Sequence, residues 1–136
     1  MKVLVTGGTG IIGEAAVRAL HRRGHTARVL SRHAGRDQTW WPAGIEGWAG
    51  DVSDEKSIRG ASVGCDAVLH IAGIATEEPP RRTFQAVNID GTRYVILEAE
   101  RTNIPKVVYV SSLGAERGQS AYHKSKRVAE DVVRAF

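Results

Sequence analysis

A strand, a glycine-rich loop and a helix follow one another at the start of the chain. Residues 2–6 are nearly all apolar, as is typical of a strand that is covered on both faces. Gly7, Gly10 and Gly13 follow at the spacing Gly-x-x-Gly-x-x-Gly, and residues 11–23 have the periodicity of a helix. Such glycines permit a tight turn, a close approach of phosphate to the backbone, and close packing of the helix on the strand. The free amides at the helix start predict a phosphate-binding loop, although a strand–helix turn without a ligand has the same spacing.

The rest of the chain alternates short apolar segments with helical patterns, which is typical of a parallel sheet with crossover helices. We expect strands at residues 2–6, 26–31, 45–49, 66–71 and 106–111, and helices at 11–23, 53–61, 82–102 and 120–136. Right-handed crossovers and one reversal after the third strand predict the strand order 3-2-1-4-5. The predicted fold class is therefore α/β, a three-layer doubly wound parallel sheet, with a cleft at the carboxyl ends of strands one and four.

Three smaller predictions concern local packing. Residues 33–44 predict a loop, and Ser53 is the expected cap of the helix over 53–61. Trp40, Trp41 and Trp48 predict a local packing cluster over the sheet edge. The apolar pattern of the first helix predicts a buried face made of Ile12, Ala15, Ala16, Ala19 and Leu20.

Composition limits the classes of function. The 136 residues carry a net charge of +4 from scattered basic residues, so we expect no nucleic-acid surface. No apolar run approaches the roughly 18 residues of a membrane span, and no signal peptide is visible. The lone Cys65 cannot form an internal disulfide, which fits a reducing compartment, and we expect a cytoplasmic protein. The length predicts one domain over residues 1–136, and the histidines lack metal-ligand spacing, so we expect no metal site.

The end of the second predicted strand indicates which dinucleotide the cleft binds. Ser31 and Arg32 stand there in place of the acidic residue that would bind a ribose 2′-hydroxyl. Because a guanidinium pairs with a 2′-phosphate through charge-assisted hydrogen bonds, Arg32 favours NADP over NAD. The alternative is that Arg32 is an ordinary surface arginine.

Residues at the other strand ends complete the predicted cofactor site. Asp51 and Val52 end the third strand, where the carboxylate either meets the adenine amino group or caps the following turn. The predicted cofactor-binding residues are Gly7, Thr9, Gly10, Ile11, Ile12, Gly13, Ser31, Arg32, Asp51, Val52, Ile71, Ala72, Gly73 and Lys126.

Tyr122 and Lys126 stand one helical turn apart, so their side chains share a face of the last predicted helix. An ammonium favours the phenolate, as proton exchange with a carbonyl or an alcohol requires, and Lys126 can also bind the nicotinamide ribose. A surface pair is the alternative. Ser111 and Ser112 come shortly before, and a serine hydroxyl there can polarise a substrate carbonyl. Asn88 lies in the long predicted helix, where it either has a function, bends the helix, or is a locally satisfied amide.

Six segments in this order span nearly the whole chain: 6–13 (TGGTGIIG), 50–52 (GDV), 70–73 (HIAG), 88–92 (NIDGT), 110–112 (VSS) and 122–126 (YHKSK). Together they resemble the short-chain dehydrogenase/reductase family. The resemblance is strongest to the extended and atypical branch of nucleotide-sugar epimerase-like and NAD(P)H-binding proteins.

The resemblance implies a Rossmann fold and hydride transfer between a nicotinamide and a small carbonyl or alcohol substrate. It makes Tyr122 the catalytic acid/base, Lys126 its partner, and Ser112 or Ser111 the carbonyl-polarising hydroxyl. It also makes Asn88 a helix-bending member of a proton relay. Proteins of the family often form homodimers through the helices that correspond to residues 82–102 and 120–136. Reductases, epimerases and dehydratases all occur in the family, and the sequence does not distinguish them.

Two features depart from the family pattern. The interval between Ser112 and Tyr122 is short, which leaves open which serine acts. Family members continue beyond the helix of Tyr122 with further strands and substrate-binding elements, so we interpret this chain as the cofactor half, as a truncated piece or a shortened member. The alternative function is a non-catalytic NAD(P)-binding sensor or structural module, or an inactive fragment.

Overall fold

A parallel sheet forms the centre of the molecule, which a computed structural model describes over residues 1–37 and 41–136. Its strands are β1 (Lys2–Thr6), β2 (Thr26–Ser31), β3 (Ile45–Ala49), β4 (Ala67–His70) and β5 (Val107–Tyr109). The order across the described sheet is β3-β2-β1-β4-β5, and all neighbouring strands are parallel. The predicted α/β fold and strand order are confirmed. The first three strands have the predicted bounds, whereas β4 and β5 are shorter than the predicted 66–71 and 106–111.

Helices cover both faces of the sheet. They are α1 (Ile11–Arg22), α2 (Ala34–Asp37), α3 (Glu55–Ile58), α4 (Gly91–Arg101) and α5 (Ala121–Arg134), and a π-helical segment (Phe84–Asp90) precedes α4. Alternate residues of β1 face opposite layers, as the pleat of a strand requires. Val3 and Val5 pack with Val17 of α1, and Leu4 packs with Val95 of α4 on the other side. None of the helices described is long and apolar enough to cross a membrane.

The buried face of α1 differs from the predicted one. Ile12 is 60% exposed and Ala15 is also exposed, whereas Gly13 and Val17 are buried against the sheet. Gly13 has no side chain, so an apolar pattern cannot register it as a buried position. Leu20 of the predicted face does pack on the core, and Ala16 and Ala19 are half-buried, so the prediction is wrong only for Ile12 and Ala15, which are directed away from the core.

The helix predicted over 53–61 is only the single turn α3, and its cap is Asp54 rather than Ser53. The Asp54 side chain accepts a hydrogen bond from the amide of Lys56 at 3.1 Å. Ser53 instead donates from its amide and its hydroxyl to Oδ1 of Asp51, at 2.9 Å and 2.7 Å.

The long helix predicted over 82–102 begins later and is not uniform. It starts with the π-helical segment, which the hydroxyl of Thr83 caps by accepting a hydrogen bond from the amide of Ala86. The amide of Gly91 donates to the carbonyl of Ala86, five residues back, and α4 then runs to Arg101. Short π-helical stretches are frequent at functional sites, and this one contains Asn88.

The loop predicted over 33–44 and the predicted tryptophan cluster both lie partly outside the described residues, since 38–40 include Trp40. The described part of the loop contains α2, which the sequence did not predict. Trp41 packs on the α1 side of the sheet, whereas Trp48 packs on the α4 side and donates its indole N–H to the carbonyl of Ser57. The prediction of a shared cluster is therefore wrong for Trp41 and Trp48, because they pack in core layers on opposite sides of the sheet.

Candidate cofactor cleft and active site

The glycine loop leaves no room for side chains at two positions. Gly7 has φ +71°, and a Cβ there would lie 2.7 Å from the amide nitrogen of Ala72. A Cβ on Gly13 would lie 2.0 Å from the carbonyl oxygen of Gly7, so α1 could not begin this close to β1 with any other residue. The loop is thus a backbone cradle that a single methyl group would fill.

The first turn of α1 leaves its amides open to this cradle. Gly10 occupies the cap position and supplies no side-chain hydrogen bond. The amides of Ile11, Ile12 and Gly13 lack partners within the helix, as the first turn of any helix does. All three residues line a cleft, so these N–H groups and the positive end of the helix dipole are available to an anion.

The cleft has a volume of about 1480 Å³ and follows the carboxyl ends of β1, β2, β3 and β4. This size suits an elongated ligand better than a compact metabolite, since typical small-molecule pockets hold roughly 300–1000 Å³. Its wall includes the predicted cofactor-binding residues other than Lys126: Gly7, Thr9, Gly10, Ile11, Ile12, Gly13, Ser31, Arg32, Asp51, Val52, Ile71, Ala72 and Gly73.

The end of the cleft at β2 carries a carboxylate that sequence reasoning missed. The hydroxyl of Ser31 donates to the carboxylate of Asp37 and accepts a hydrogen bond from the amide of His33 at 3.1 Å. Arg32 is exposed beside them, and Arg36 also lines the cleft. The sequence has no acidic residue at the strand end itself, and the turn of α2 brings Asp37 back to Ser31.

Asp51 caps the turn that follows β3. One of its carboxylate oxygens accepts both hydrogen bonds from Ser53, and the residue also lines the cleft beside Val52. The capping alternative is therefore what the structure describes, and an additional contact with adenine stays a prediction.

Lys126 lies behind the cleft wall rather than in it. Its side chain comes from α5, is only 4% exposed, and its ammonium donates to the carbonyl of Val110 at 2.9 Å. A Cβ built on Gly73 would lie 3.7 Å from Nζ of Lys126, so only the backbone of Gly73 separates the ammonium from the cleft. Burial lowers the pKa of Lys126 to about 8, against the opposing attraction of Glu130.

Asn88 links the cleft wall to α5. Its Oδ1 accepts the amide of Ile74 at 2.8 Å, and its Nδ2 donates to the carbonyl of Ile74 at 3.0 Å and to Oγ of Ser125 at 2.9 Å. Ser125 in turn donates to the carbonyl of Tyr122 at 2.6 Å. Of the three alternatives for Asn88, the helix distortion is found; its side-chain amide is satisfied, but by partners 14 and 37 residues away rather than locally, and its function stays a prediction.

Tyr122 and the two serines are near this assembly but are not joined to one another. The ring of Tyr122 packs 6.0 Å from that of Phe84, and within the described residues its hydroxyl makes no hydrogen bond. The hydroxyl of Ser111 donates to Glu130, whereas Ser112 is half-buried and its hydroxyl has no partner in the described part of the chain. Of the two serines, Ser112 is the one whose hydroxyl is available to a substrate.

A buried histidine, His70, is a site residue that the sequence did not single out. Thr6 Oγ1 accepts hydrogen bonds from the amides of Ile71 and Ala72, so its proton goes to Nδ1 of His70 at 2.6 Å. Nε2 of His70 therefore carries the proton and donates to Thr92 at 2.9 Å. Burial, followed by the charge of Lys126, lowers the pKa of His70 to about 3, so the ring is neutral.

These buried polar groups form a continuous hydrogen-bonded set. The hydroxyl of Thr92 donates to the backbone carbonyl of Asn88 at 2.7 Å, which joins the histidine to the amide described above. We call this set the cleft network; its members are Thr6, His70, Asn88, Thr92 and Ser125. A polar residue inside an apolar strand requires buried partners, and that requirement is the signal by which His70 could have been found.

Comparison with known proteins decides the family. Residues 3–136 match the family model of the NAD-dependent epimerase/dehydratase family. The chain belongs to this family. This chain is 36% identical to ceramide reductase of Caulobacter vibrioides over 134 residues. The aligned region covers 98% of the chain and 42% of that protein. It is also 36% identical to sterol demethylase protein B of Methylococcus capsulatus over 116 residues, and that aligned region covers 85% of the chain and 35% of that protein.

Solved structures of the short-chain dehydrogenase/reductase superfamily share the fold of this epimerase/dehydratase-family chain. A superfamily protein of Agrobacterium tumefaciens with bound NAD superposes with a TM-score of 0.82 at 28% identity, over 99% of the chain and 44% of that protein. The chain spans less than half the length of each of these three relatives. The family resemblance inferred from the motifs is thus confirmed.

Proposed function

We propose that this chain is the cofactor-binding part of an NADP-preferring oxidoreductase of the epimerase/dehydratase family. The observation that carries the proposal is the cradle formed by Gly7 and Gly13, in which a Cβ would collide with backbone while uncapped amides face a large cleft. A cradle of this kind fits a pyrophosphate, because the phosphate oxygens accept from the amides and lie at the positive end of the helix dipole.

Three groups hold the dinucleotide in this proposal. The amides of Ile11, Ile12 and Gly13 bind the pyrophosphate, and the guanidinium of Arg32 pairs with the 2′-phosphate at the β2 end of the cleft. The ammonium of Lys126, next to Gly73, binds the nicotinamide ribose. Arg32 is exposed and lines the cleft, so it can reach a phosphate without leaving a buried charge unpaired.

We assign the chemistry to Tyr122 and Ser112, which are not among the residues that line the cleft; Tyr122 lies on α5 together with Lys126. A nicotinamide held in the cleft would supply the hydride for a carbonyl carbon, or would accept one from an alcohol carbon in the reverse direction. The hydroxyl of Tyr122 gives the oxygen its proton, or takes it back, while the hydroxyl of Ser112 polarises the carbonyl. Asn88 and Ser125 fix the backbone of Tyr122 through the hydrogen bond to its carbonyl.

A second candidate is a non-catalytic NAD(P)-binding sensor or structural module. Two observations favour it: the hydroxyl of Ser111 is engaged by Glu130, and in the described structure no hydrogen bond joins Tyr122 to Lys126. Replacing Tyr122 by Phe separates the two candidates. If the protein reduces a carbonyl compound and Tyr122→Phe leaves the rate unchanged, Tyr122 is not the acid/base and the enzymatic proposal is wrong.

Titration of the protein with NADPH and with NADH, followed by nucleotide fluorescence, tests the cofactor assignment. We expect tighter binding of NADPH, and we expect Arg32→Glu to weaken it by about tenfold or more while NADH binding changes little. Arg23→Glu is the matched control, because it makes the same charge change at an exposed arginine outside the cleft. Tighter binding of NADH to the wild-type protein would refute the role of Arg32.

The carboxylate of Asp37 gives a finer test of the same site. A negative charge beside Ser31 opposes a 2′-phosphate, so Asp37→Asn should strengthen NADPH binding by roughly threefold and leave NADH binding unchanged. An equal gain for both nucleotides would place the 2′-phosphate away from Ser31.

We also propose that two copies of the chain associate through α4 and α5. These helices expose apolar side chains to solvent, among them Leu97 at 46% and Val128 at 38%. Light scattering after size-exclusion chromatography should give a dimer for the wild-type protein and a monomer for Val128→Asp. Val63→Asp, at an apolar residue that is 59% exposed outside both helices, should leave the dimer intact.

A further inference from the structure

The ring of Tyr109 contacts two side chains of the candidate active site. Nζ of Lys126 lies 4.3 Å from the ring centroid, over the face of the ring, and the imidazole of His70 packs with its centroid 5.4 Å away. Thr6, His70 and Tyr109 are register partners on β1, β4 and β5, so they form one row across the carboxyl end of the sheet. This row faces the layer that contains α5.

The buried ammonium of Lys126 has few other compensating groups. It donates to the carbonyl of Val110, and no carboxylate of the described residues lies within ion-pair distance of it. The carboxylate of Glu130, one turn along α5, is bound to Ser111 and Arg134 instead. An aromatic face attracts a cation most strongly where water is excluded, and Lys126 is 4% exposed.

The two aromatic groups at this contact, His70 and Tyr109, are both uncharged. His70 is held neutral between Thr6 and Thr92, so it packs on the Tyr109 ring without repelling the ammonium. The Tyr109 hydroxyl is buried near that of Thr92, yet it makes no well-formed hydrogen bond within the described residues. Burial raises the pKa of Tyr109, so its phenol stays uncharged. The ring face, rather than the hydroxyl, is what Tyr109 contributes.

We propose that Tyr109 is a positioning residue for Lys126, and that its ring face, supported by neutral His70, holds the ammonium behind Gly73 at the nicotinamide end of the cleft. This inference rests on the proposed cofactor function. It adds a residue to the machinery of that site, since Tyr109 acts on the cofactor only through Lys126.

Two ligands distinguish positioning of Lys126 from general support of the fold. NADPH includes the nicotinamide ribose that Lys126 is proposed to bind, whereas adenosine 2′,5′-bisphosphate lacks it. Tyr109→Leu, which removes the ring, should weaken NADPH binding by roughly three- to thirtyfold and leave the bisphosphate unaffected. Tyr109→Phe is the matched control: it keeps the ring and loses a hydroxyl without hydrogen bonds, so both affinities should equal those of the wild type.

The outcomes separate the inference from the proposed function. If Lys126→Met weakens NADPH binding while Tyr109→Leu does not, the positioning role is wrong and the cofactor function stands. If Lys126→Met leaves NADPH binding unchanged, the assigned role of Lys126 fails and the inference fails with it. Equal weakening of both ligands by Tyr109→Leu would show a structural role and would also overturn the inference.

Nuclear magnetic resonance of the wild-type protein tests the contact itself, should Tyr109→Leu not fold. Protons on Cε of Lys126 lie over an aromatic face and should resonate upfield of those of exposed lysines such as Lys124. This shift should persist in Tyr109→Phe. An ordinary chemical shift for Lys126 would overturn the inference.

Discussion

Two buried polar networks lie at opposite ends of the sheet, and they differ in how completely their groups are paired. The cleft network lies at the carboxyl ends of β1 and β4. The other network joins α4 to the loop before β4, at the amino end of that strand. We call it the Glu98 network; its members are Gly60, Ser62, Glu98, Arg101 and Thr102.

The Glu98 network is charged and closed. Oε1 of Glu98 accepts from the amides of Gly60 and Ser62 and from the hydroxyl of Ser62. Oε2 has no well-aligned hydrogen bond but lies 2.8 Å from Nη1 of Arg101, which makes an ion pair. The hydroxyls of Ser62 and Thr102 bond to each other at 2.7 Å. The donors of this network are thus directed at the Glu98 carboxylate or between the hydroxyls of Ser62 and Thr102, and none of them is left for a ligand.

The cleft network is neutral and ends on incompletely paired groups. Each ring nitrogen of His70 has one partner, and the Asn88 amide is satisfied. Beside them, however, the Tyr109 hydroxyl lacks a hydrogen bond, and the ammonium of Lys126 has one carbonyl and an aromatic face. Each end thus has one buried oxygen without a well-formed hydrogen bond, Oε2 of Glu98 and the hydroxyl of Tyr109. Oε2 has an ion pair, so the cleft end is the one that we propose a ligand completes.

The largest effect that would sharpen this comparison is on the Glu98 network. Glu98→Ala should lower the free energy of unfolding by about 3 kcal/mol, because it strands buried amides and the partly buried Arg101. Urea denaturation measures the loss, and Glu98→Gln, which keeps an acceptor, should lose less. Weaker NADPH binding by the folded fraction of Glu98→Ala would break the comparison, because the two ends would then not be independent.

The next effect is the acid sensitivity of the cleft network. His70 has a pKa of about 3 when folded and 6.5 as its ordinary value, so between these values the unfolded chain binds a proton that the folded chain does not. Stability should therefore fall as the pH drops through this window, by about 2 kcal/mol at pH 5. His70→Asn should lose this dependence, whereas replacement of the exposed His21 by Asn should keep it.

Removal of the Lys126 ammonium should have a smaller effect, which raises the free energy of unfolding but weakens NADPH binding. The folded chain releases the Lys126 proton near pH 8 and the unfolded chain near 10.5, so stability should rise with pH across that window. Lys126→Met should abolish the rise and add about 1 kcal/mol of stability at pH 7, while it weakens NADPH binding by roughly tenfold. Lys124→Met, at an exposed position of the same helix, should do neither.

The smallest effects come from a matched pair of serines. Ser62→Ala and Ser125→Ala each remove a buried hydroxyl and should each lower the free energy of unfolding by about 1 kcal/mol. Only Ser125→Ala should also weaken NADPH binding, by roughly twofold, because it loosens Asn88 beside Gly73. Equal behaviour of the two variants in both assays would erase the distinction between the networks.

The elements that were predicted well depend on local patterns. The apolar segments of β1, β2 and β3 and the glycine loop are readable because period, length and turn residues act within a few positions. The predicted buried face of α1 was right for Leu20, which packs on the core, but it included the exposed Ile12 and Ala15 and omitted Gly13, which carries no apolar signal. The π-helical segment was not predicted, and its Asn88 bonds to Ile74 across a loop, a contact that no local pattern shows.

The candidate site shows the same difference between features that follow from sequence patterns and contacts that only the tertiary structure makes. Residues at strand ends were placed around one cleft by topology, since parallel strands bring their carboxyl ends to one edge of the sheet. Asp37 reaches Ser31 only through α2, and Tyr109 meets Lys126 only when β5 packs under α5. No spacing in the chain encodes such contacts.

The amino-acid sequence by itself determined the strand order, the glycine cradle and the family. The order follows from the alternation of elements and the handedness of their crossovers, the cradle from the spacing of three glycines, and the family from six motifs in order along the chain. The tertiary structure alone decided which polar groups are closed off and which stay open: His70 neutral between two threonines, Ser111 occupied by Glu130, and Lys126 buried over Tyr109. Charge, pairing and burial depend on neighbours distant in the sequence, and only folding brings those neighbours within a few ångströms.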